Sequence, residues 1–126
     1  MRVQSALCAA TLAAWFFHAS IAAAGDAVVG ASVFTNRCKE CHEAPAGSPK
    51  AGPSLIGVVG RPAGSLPGFN YSDAMRSAGF AWSEDQLRAY LLNPKAVVPK
   101  NRMLFNGLKR EGELDDLIEY LKSISG

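Results

Sequence analysis

The chain has 126 residues, with 13 basic and 11 acidic side chains and a hydrophobic fraction of 48%. This length suits one ordinary domain, and the balanced charge and composition exclude a disordered chain and a non-specific nucleic-acid-binding protein. A multi-span membrane protein is excluded as well, because no apolar run of about 18 residues follows the N-terminal region. The three cysteines are too few for a disulfide-stabilised scaffold.

The first 24 residues have the pattern of a secretory signal peptide. Arg2 gives a positive start, an apolar run covers 6–17, and the small residues 22–24 form a cleavage site. We predict cleavage after Ala24, which leaves 25–126 as a periplasmic domain. The alternative is an uncleaved membrane anchor, although the apolar run is short for a span of about 20 residues.

The predicted mature domain begins with a helix and continues into a long irregular segment. Asp26 is a suitable N-cap for a helix over 27–40, in which Val29 and Val33 recur near helical spacing. Residues 43–70 contain five prolines and six glycines, a density that forbids long helices. Such a segment buries little apolar surface of its own, so we expect it to wrap a large apolar group.

Further helices are predicted in the second half of the chain. A short helix covers 72–78, and Ser83 begins a capping box for a helix that ends before Pro94. Residues 95–109 are predicted to form a loop, and the last helix covers 113–124. No segment has the pattern of a strand, so the predicted fold class is all-α, with three to five helices and long loops.

Both cysteines and the single histidine of the mature domain fall within five consecutive residues. Cys38, Cys41 and His42 form C-x-x-C-H, the pattern of c-type haem attachment. The two thiols can form thioethers with the two haem vinyl groups, and His42 is then placed beneath the iron as the proximal ligand. The motif therefore predicts one covalently bound haem c.

Other uses of two cysteines at this spacing are disfavoured. A thioredoxin-like motif would follow a strand in a βαβ unit, and no such pattern is present. A zinc site would need a second pair of ligands, for which the mature domain has no further cysteine or histidine. A disulfide between such close residues would close a very short loop and stabilise little.

The second axial ligand is reached by elimination. Because the mature domain has no second histidine, a methionine thioether is the expected partner, and His/Met ligation is typical of electron-transfer cytochromes. Met75 and Met103 are the two candidates. Met75 lies in a predicted short helix, where filling a gap in the core explains it better. Met103, on a loop between two helices, is therefore favoured.

These residues resemble those of class I c-type cytochromes, in the soluble bacterial branch that is similar to mitochondrial cytochrome c. The resemblance extends from Gly30 and Phe34 to Tyr120. It implies the cytochrome c fold, in which the first and last helices cross at these residues and long loops surround one haem.

The resemblance also implies roles for residues around the haem. The carbonyl of Pro53 would accept a hydrogen bond from His42 and orient its ring. The other implied contacts are Arg61, Tyr71 and Trp82 at the propionates, Tyr90 beside the ligand methionine, Asn101 in the ligand loop, and Phe105 at the haem edge. Without the resemblance, the aromatic residues would be ordinary core residues and Arg61 a surface charge.

The chain departs from the family in the ligand loop. Where the family often has glycine and threonine, this chain has Lys100 and Asn101. We expect that Asn101 can still donate a hydrogen bond to a propionate. The departure predicts a ligand loop that is stiffer than that of the family or that holds its ligand differently.

With both axial positions filled, the predicted function is that of a soluble, monomeric one-electron carrier and not of an enzyme. The expected partners are a cytochrome bc complex, a terminal oxidase, a photosynthetic reaction centre or a periplasmic dehydrogenase, and no nucleic acid. If the haem is placed as the motif requires, several basic residues would ring its exposed edge, and the candidates are Lys39, Lys95, Lys100, Arg102, Lys109 and Arg110. They would steer acidic partners, and the alternative is that they form an ordinary solvated face.

Two alternative functions stay open at this point. One is a haem enzyme or gas sensor with a labile sixth ligand, which would need distal acid–base groups. The other is a membrane-tethered electron carrier that keeps residues 1–24.

Overall fold

The computed structural model describes residues 24–42 and 51–126. The predicted signal peptide, apart from Ala24, and residues 43–50 of the irregular segment lie outside the described residues. The described ranges contain six helices and no strand, which confirms the all-α class with one helix more than expected. They are α1 (Ala27–Arg37), α2 (Lys39–His42), α3 (Asp73–Arg76), α4 (Glu84–Leu92), α5 (Pro94–Val97) and α6 (Glu111–Ser123). None of these helices has the length and apolar character that crossing a bilayer requires.

Helix α1 begins where the sequence predicts and ends earlier. The carboxylate of Asp26 accepts hydrogen bonds from the backbone N–H groups of Val28 (2.7 Å) and Val29 (3.2 Å), which satisfies two unpaired donors of the first turn. The predicted helix over 27–40 is interrupted at Cys38, whose N–H still donates to the carbonyl of Phe34 at 2.8 Å. This interruption turns the chain into the single turn of α2.

Helices α1 and α6 cross at close range. Gly30 lies in the contact, and the ring centroids of Phe34 and Tyr120 are 5.2 Å apart. The backbone N–H of Asp26 donates to the carboxylate of Asp116 at 2.7 Å. The crossing expected at Gly30, Phe34 and Tyr120 is therefore present, and it brings the two ends of the described chain together.

The middle of the chain forms three short to medium helices. Ser72 caps α3 by accepting from the N–H of Met75 at 3.1 Å, and Ser83 caps α4 in the same way. The predicted loop over 95–109 is wrong at its start, because residues 94–97 form α5. Asn93 both ends α4 and caps α5, and Pro94 occupies the first turn, where its missing N–H costs no hydrogen bond.

The irregular segment predicted from the proline and glycine content is confirmed for residues 51–70. It is anchored by backbone hydrogen bonds to the residues before α4: Gly60 donates to Trp82 at 2.8 Å, and Trp82 donates to Arg61 at 2.9 Å. The side chain of Trp82 is thereby held against the core, where it is 7% exposed.

The core lies where α6 meets α1, α4 and the segment after α5. The most buried side chains of the described part are those of Leu108, Leu117, Ile118, Leu121 and Pro94. The apolar face of α6 follows the predicted i, i+3, i+4, i+7 spacing, from Leu114 to Leu121. A rigid frame of helices thus carries the loops that form the site.

Candidate haem site

The cysteines and the histidine lie together at the end of α1 and in α2. The backbone N–H groups of Cys41 and His42 both donate to the carbonyl of Cys38, at 3.2 and 3.0 Å. Cys38 is half-buried and Cys41 is exposed, and neither forms a disulfide. One tight turn therefore presents the two sulfur atoms and the imidazole that C-x-x-C-H requires.

The environment of Cys38 differs from that of a thioredoxin-like cysteine. Burial raises the pKa of the Cys38 thiol to about 11, although the nearby charge of Arg37 opposes this shift. Reactive C-x-x-C motifs need a lowered thiol pKa and a preceding strand. The described chain has a helix before Cys38, so the geometry and the pKa both disfavour a dithiol redox centre.

The imidazole of His42 is held by the irregular segment. Its Nδ1 lies 2.7 Å from the carbonyl oxygen of Pro53, the partner that the resemblance implies. Because a carbonyl only accepts, Nδ1 carries the proton and the lone pair stays on Nε2. Burial lowers the pKa of His42, with the hydrogen bond to Pro53 acting in the opposite direction. The ring is therefore neutral, oriented and able to bind a metal through Nε2.

Gly52 has a packing role that the sequence did not reveal. A Cβ atom at Gly52 would lie 2.7 Å from Cε1 of His42, so only glycine fits without moving the ring. The N–H of Gly52 also donates to the carbonyl of Cys41 at 3.0 Å. The glycine thus lets the irregular segment lie flat against the imidazole. In the sequence, only the position of Gly52 before Pro53 pointed to this contact.

Met103 lies in the loop between α5 and α6, and its side chain is half-buried. The hydroxyl of Tyr90 donates to Sδ of Met103 at 3.9 Å, a long contact suited to sulfur. Burial raises the pKa of Tyr90 to about 12, so the hydroxyl keeps its proton and remains a donor. The other candidate, Met75, is buried in the core, as expected for a gap-filling side chain.

Aromatic rings pack against Tyr90, the residue whose hydroxyl contacts Met103, and a second pair lies near residue 70. The ring of Trp82 lies 4.8 Å from that of Tyr90 and 4.9 Å from that of Phe80. Tyr71 is also buried and contacts Phe69 edge-on at 4.8 Å. Aromatic side chains of this kind pack well against a large, flat, apolar group.

Two other predicted site residues lie at the periphery of the core. Phe105 is half-buried and packs against the core cluster. The guanidinium of Arg61 donates to the carbonyls of Ser54 (2.9 Å) and Ile56 (3.3 Å). Arg61 therefore fastens the segment that follows Pro53, and the contacts found for its side chain are to backbone.

Asn101 does not have the free donors that a propionate contact needs. Its side chain is only 4% exposed, and its Nδ2 donates to the carbonyls of Pro94 (3.1 Å) and Val98 (2.7 Å). An amide nitrogen has two hydrogens, so both are used within the loop. Nδ2 therefore has no hydrogen left for the predicted donation to a propionate, and the amide faces the loop interior.

A cavity of about 510 Å³ opens between residues 70–76 and the ligand loop. Tyr71 lines it from one side, and Lys100 and Arg102 line it from the other. Among the charged side chains that line it, Arg76 pairs with the carboxylate of Asp73, and the remaining charges of Lys100 and Arg102 favour an anionic group. This lining suits the carboxylates of a haem, and the two cysteines, His42 and Met103 lie outside it.

Comparisons with known proteins agree with this geometry. A family model described as cytochrome c matches residues 27–125. The chain is 50% identical to cytochrome c2 of Rhodomicrobium vannielii over 115 residues, covering 90% of this chain and 91% of that protein. It is 44% identical to cytochrome c type-1 of Ascaris suum over 98 residues, covering 78% and 88%. Among solved structures, cytochrome cH from Methylobacterium extorquens matches with a TM-score of 0.71 and 39% identity, covering 79% of this chain and 99% of that one.

Proposed function

The chain belongs to the cytochrome c family, and we propose that it is a soluble, periplasmic one-electron carrier with His/Met axial ligation. The cofactor of this family is covalent haem c, attached here through Cys38 and Cys41. When bound, the haem supplies an iron centre that cycles between Fe(II) and Fe(III). The residues of the chain hold the ligands, exclude water and expose an edge for electron transfer.

His42 is the proposed proximal ligand, and its contact with Pro53 is the observation that carries the proposal. The 2.7 Å contact fixes the tautomer that leaves Nε2 free. It also gives the ring partial imidazolate character, which strengthens its donation to iron. Gly52 supports this arrangement by leaving room for the ring.

Met103 is the proposed second axial ligand. Its thioether is the methionine sulfur in contact with a buried hydroxyl donor, that of Tyr90. The rings of Trp82 and Tyr90 are buried with their centroids 4.8 Å apart, which supports an apolar environment next to this hydroxyl. With His42 and Met103 both bound, no position at the metal is open to substrate, which supports electron transfer over catalysis.

A haem enzyme or gas sensor is the alternative from another class. It would require Met103 to leave easily and a distal acid–base group to take its place. Tyr90, with its pKa raised to about 12, is unsuited to proton exchange near neutral pH. Slow carbon monoxide binding to the native reduced protein is expected, and fast binding would favour the alternative.

The partners are proposed to be acidic surfaces that dock at the haem edge. Basic side chains are fixed around the ligand loop: Lys95 donates to the carbonyl of Asn101 at 2.8 Å, and Arg102 donates to that of Asn70. Lys109 donates to the last carbonyl of α4 at 2.8 Å. A cytochrome bc complex, a terminal oxidase, a photosynthetic reaction centre and a periplasmic dehydrogenase are the proposed classes. The rate of electron transfer between the holoprotein and each of these classes, measured in native membranes at low and high salt, identifies the partner.

Export and cleavage after Ala24 are also proposed. The contacts with α6 begin immediately after this position: a Cβ at Gly25 would lie 2.2 Å from the carbonyl oxygen of Asp115, and Asp26 bonds to Asp116. A folded domain starting at Gly25 would keep these contacts. Mass spectrometry of the native protein should find Gly25 as the first residue, whereas a retained N-terminus would indicate a tethered carrier.

The proposed ligation is tested by absorption spectroscopy of the purified holoprotein. A low-spin spectrum in both redox states and a sulfur-to-iron charge-transfer band in the oxidised state are expected. A high-spin spectrum of the intact, folded protein would contradict the assignment of Met103.

A further inference from the structure

Asn101 occupies an unusual position among the described residues. Apart from the buried aromatic side chains, it is the one buried side chain with polar atoms in the described part of the chain, at 4% exposure. A buried amide is costly unless its donors and acceptor are all satisfied. The hydrogen bonds of Asn101 should therefore indicate its role in the structure.

The hydrogen bonds of Asn101 connect α5 to the methionine that follows. Nδ2 donates to the carbonyls of Pro94 and Val98, which lie at the two ends of α5. Oδ1 accepts from the backbone N–H of Met103 at 3.0 Å. The orientation of the amide is fixed by its partners, since carbonyls only accept and the N–H only donates.

The backbone of Asn101 is held as well. Its N–H donates to the carbonyl of Val98 at 3.2 Å, and its carbonyl accepts from Nζ of Lys95 at 2.8 Å. The preceding residue, Lys100, has φ of 65°, a left-handed conformation that a side chain other than glycine adopts at a cost. The bonds of Asn101 explain why this strained turn persists.

From this network we infer that Asn101 is a positioning residue for Met103, which it fixes to α5 through the backbone N–H of the methionine. The inference rests on the proposed ligation by Met103. A loop fixed at this point keeps the thioether in place, so the methionine leaves the iron rarely. Asn101 thus acts within the protein and does not bind a propionate.

The rate at which imidazole replaces the ligand of the oxidised holoprotein tests this role, because replacement requires Met103 to leave. In Asn101→Asp, the carboxylate still accepts from Met103 but faces two carbonyls, so replacement should be about tenfold faster or more. Asn101→Thr keeps the acceptor with one donor, and an intermediate increase is expected. Asn106→Asp, an exposed change in the same loop, is the control and should stay within about twofold of wild type.

The outcomes separate this inference from the proposed ligation. A wild-type protein without a sulfur-to-iron band would overturn the ligation and the role of Asn101 together. A wild-type protein with the band, and Asn101 variants that exchange as slowly as Asn106→Asp, would overturn only the role of Asn101. A changed pH dependence of the potential without faster exchange would place Asn101 at a propionate and would also overturn it. If Asn101→Asp does not fold, Asn101→Thr provides the same comparison.

Discussion

Gly30 of α1 lies directly against the backbone of Asp116 in α6. A Cβ atom at Gly30 would be 1.9 Å from the carbonyl oxygen of Asp116 and 2.8 Å from Cβ of Tyr120. No rotamer change can relieve a clash with backbone, so the two helices would have to separate. This contact sets the distance at which the first and last helices cross, and the haem-binding turn follows directly from α1.

Gly30→Ala should therefore destabilise the holoprotein by about 1–3 kcal/mol, since overpacking outweighs the gain in helix propensity. Gly112→Ala is the matched control, because a Cβ there would meet nothing within 4 Å. That variant should be neutral or slightly stabilising. Guanidinium titrations followed by circular dichroism measure both, and equal stabilities for the two variants would refute the close crossing.

Gly52→Ala should disturb the proximal side of the site. The new methyl group would lie within 2.8 Å of both Cε1 and Nδ1 of His42, which weakens the bond from Nδ1 to Pro53. A weaker bond makes the imidazole a poorer donor to Fe(III), so the reduction potential should rise by roughly 20–60 mV. For a one-electron couple, about 59 mV corresponds to a tenfold change in the equilibrium constant. Redox titration checks this rise, with Gly112→Ala again as control. An unchanged potential would show that the ring does not depend on Gly52.

Tyr90→Phe should have the opposite effect on the potential. Removing the hydroxyl that donates to Sδ of Met103 leaves more electron density on the sulfur, which stabilises Fe(III). The potential should fall by roughly 20–60 mV on the same scale, while the sulfur-to-iron band persists. A rise in potential in the same titration would argue that Tyr90 acts on the site in another way.

Lys100→Gly should stabilise the ligand loop. The left-handed conformation at φ of 65° costs a side chain other than glycine about 1–2 kcal/mol, and the greater unfolded-state entropy of glycine returns part of this. We expect a net increase of about 0.5–1 kcal/mol in the free energy of unfolding, measured by thermal and guanidinium unfolding. Lys100→Ala removes the same charge and keeps the strain, so it should show no such gain. Equal stabilities of the two variants would indicate that the strain is absent.

The sequence was sufficient for features that depend on local chemistry or on spacing. Asp26 and Ser83 cap helices because their side chains lie next to the unpaired donors, and the spacing from Leu114 to Leu121 defines a buried face without knowledge of its partner. The C-x-x-C-H turn needs only consecutive residues. These elements were therefore predicted correctly, and the crossing at Gly30 followed from the family resemblance.

Other features depend on where distant or backbone groups meet. Asn101 was expected at a propionate, but the carbonyls of Pro94 and Val98 take both of its donors, and backbone carbonyls have no signature in a sequence. Helix α5 was missed because Asn93 and Pro94 resemble the end of one helix as much as the start of another. The contact of Gly52 with His42 was likewise invisible, since it arises only when the irregular segment folds back.

The most direct test of the proposed function is the sulfur-to-iron charge-transfer band of the oxidised holoprotein in two methionine variants. Met75→Leu, a volume-conserving change in the core, should keep the band, and Met103→Leu should lose it while the haem remains covalently attached. Carbon monoxide should then bind the reduced Met103→Leu protein rapidly. A band that survives in Met103→Leu, or that disappears in a folded Met75→Leu protein, would contradict the ligation on which the proposed function depends.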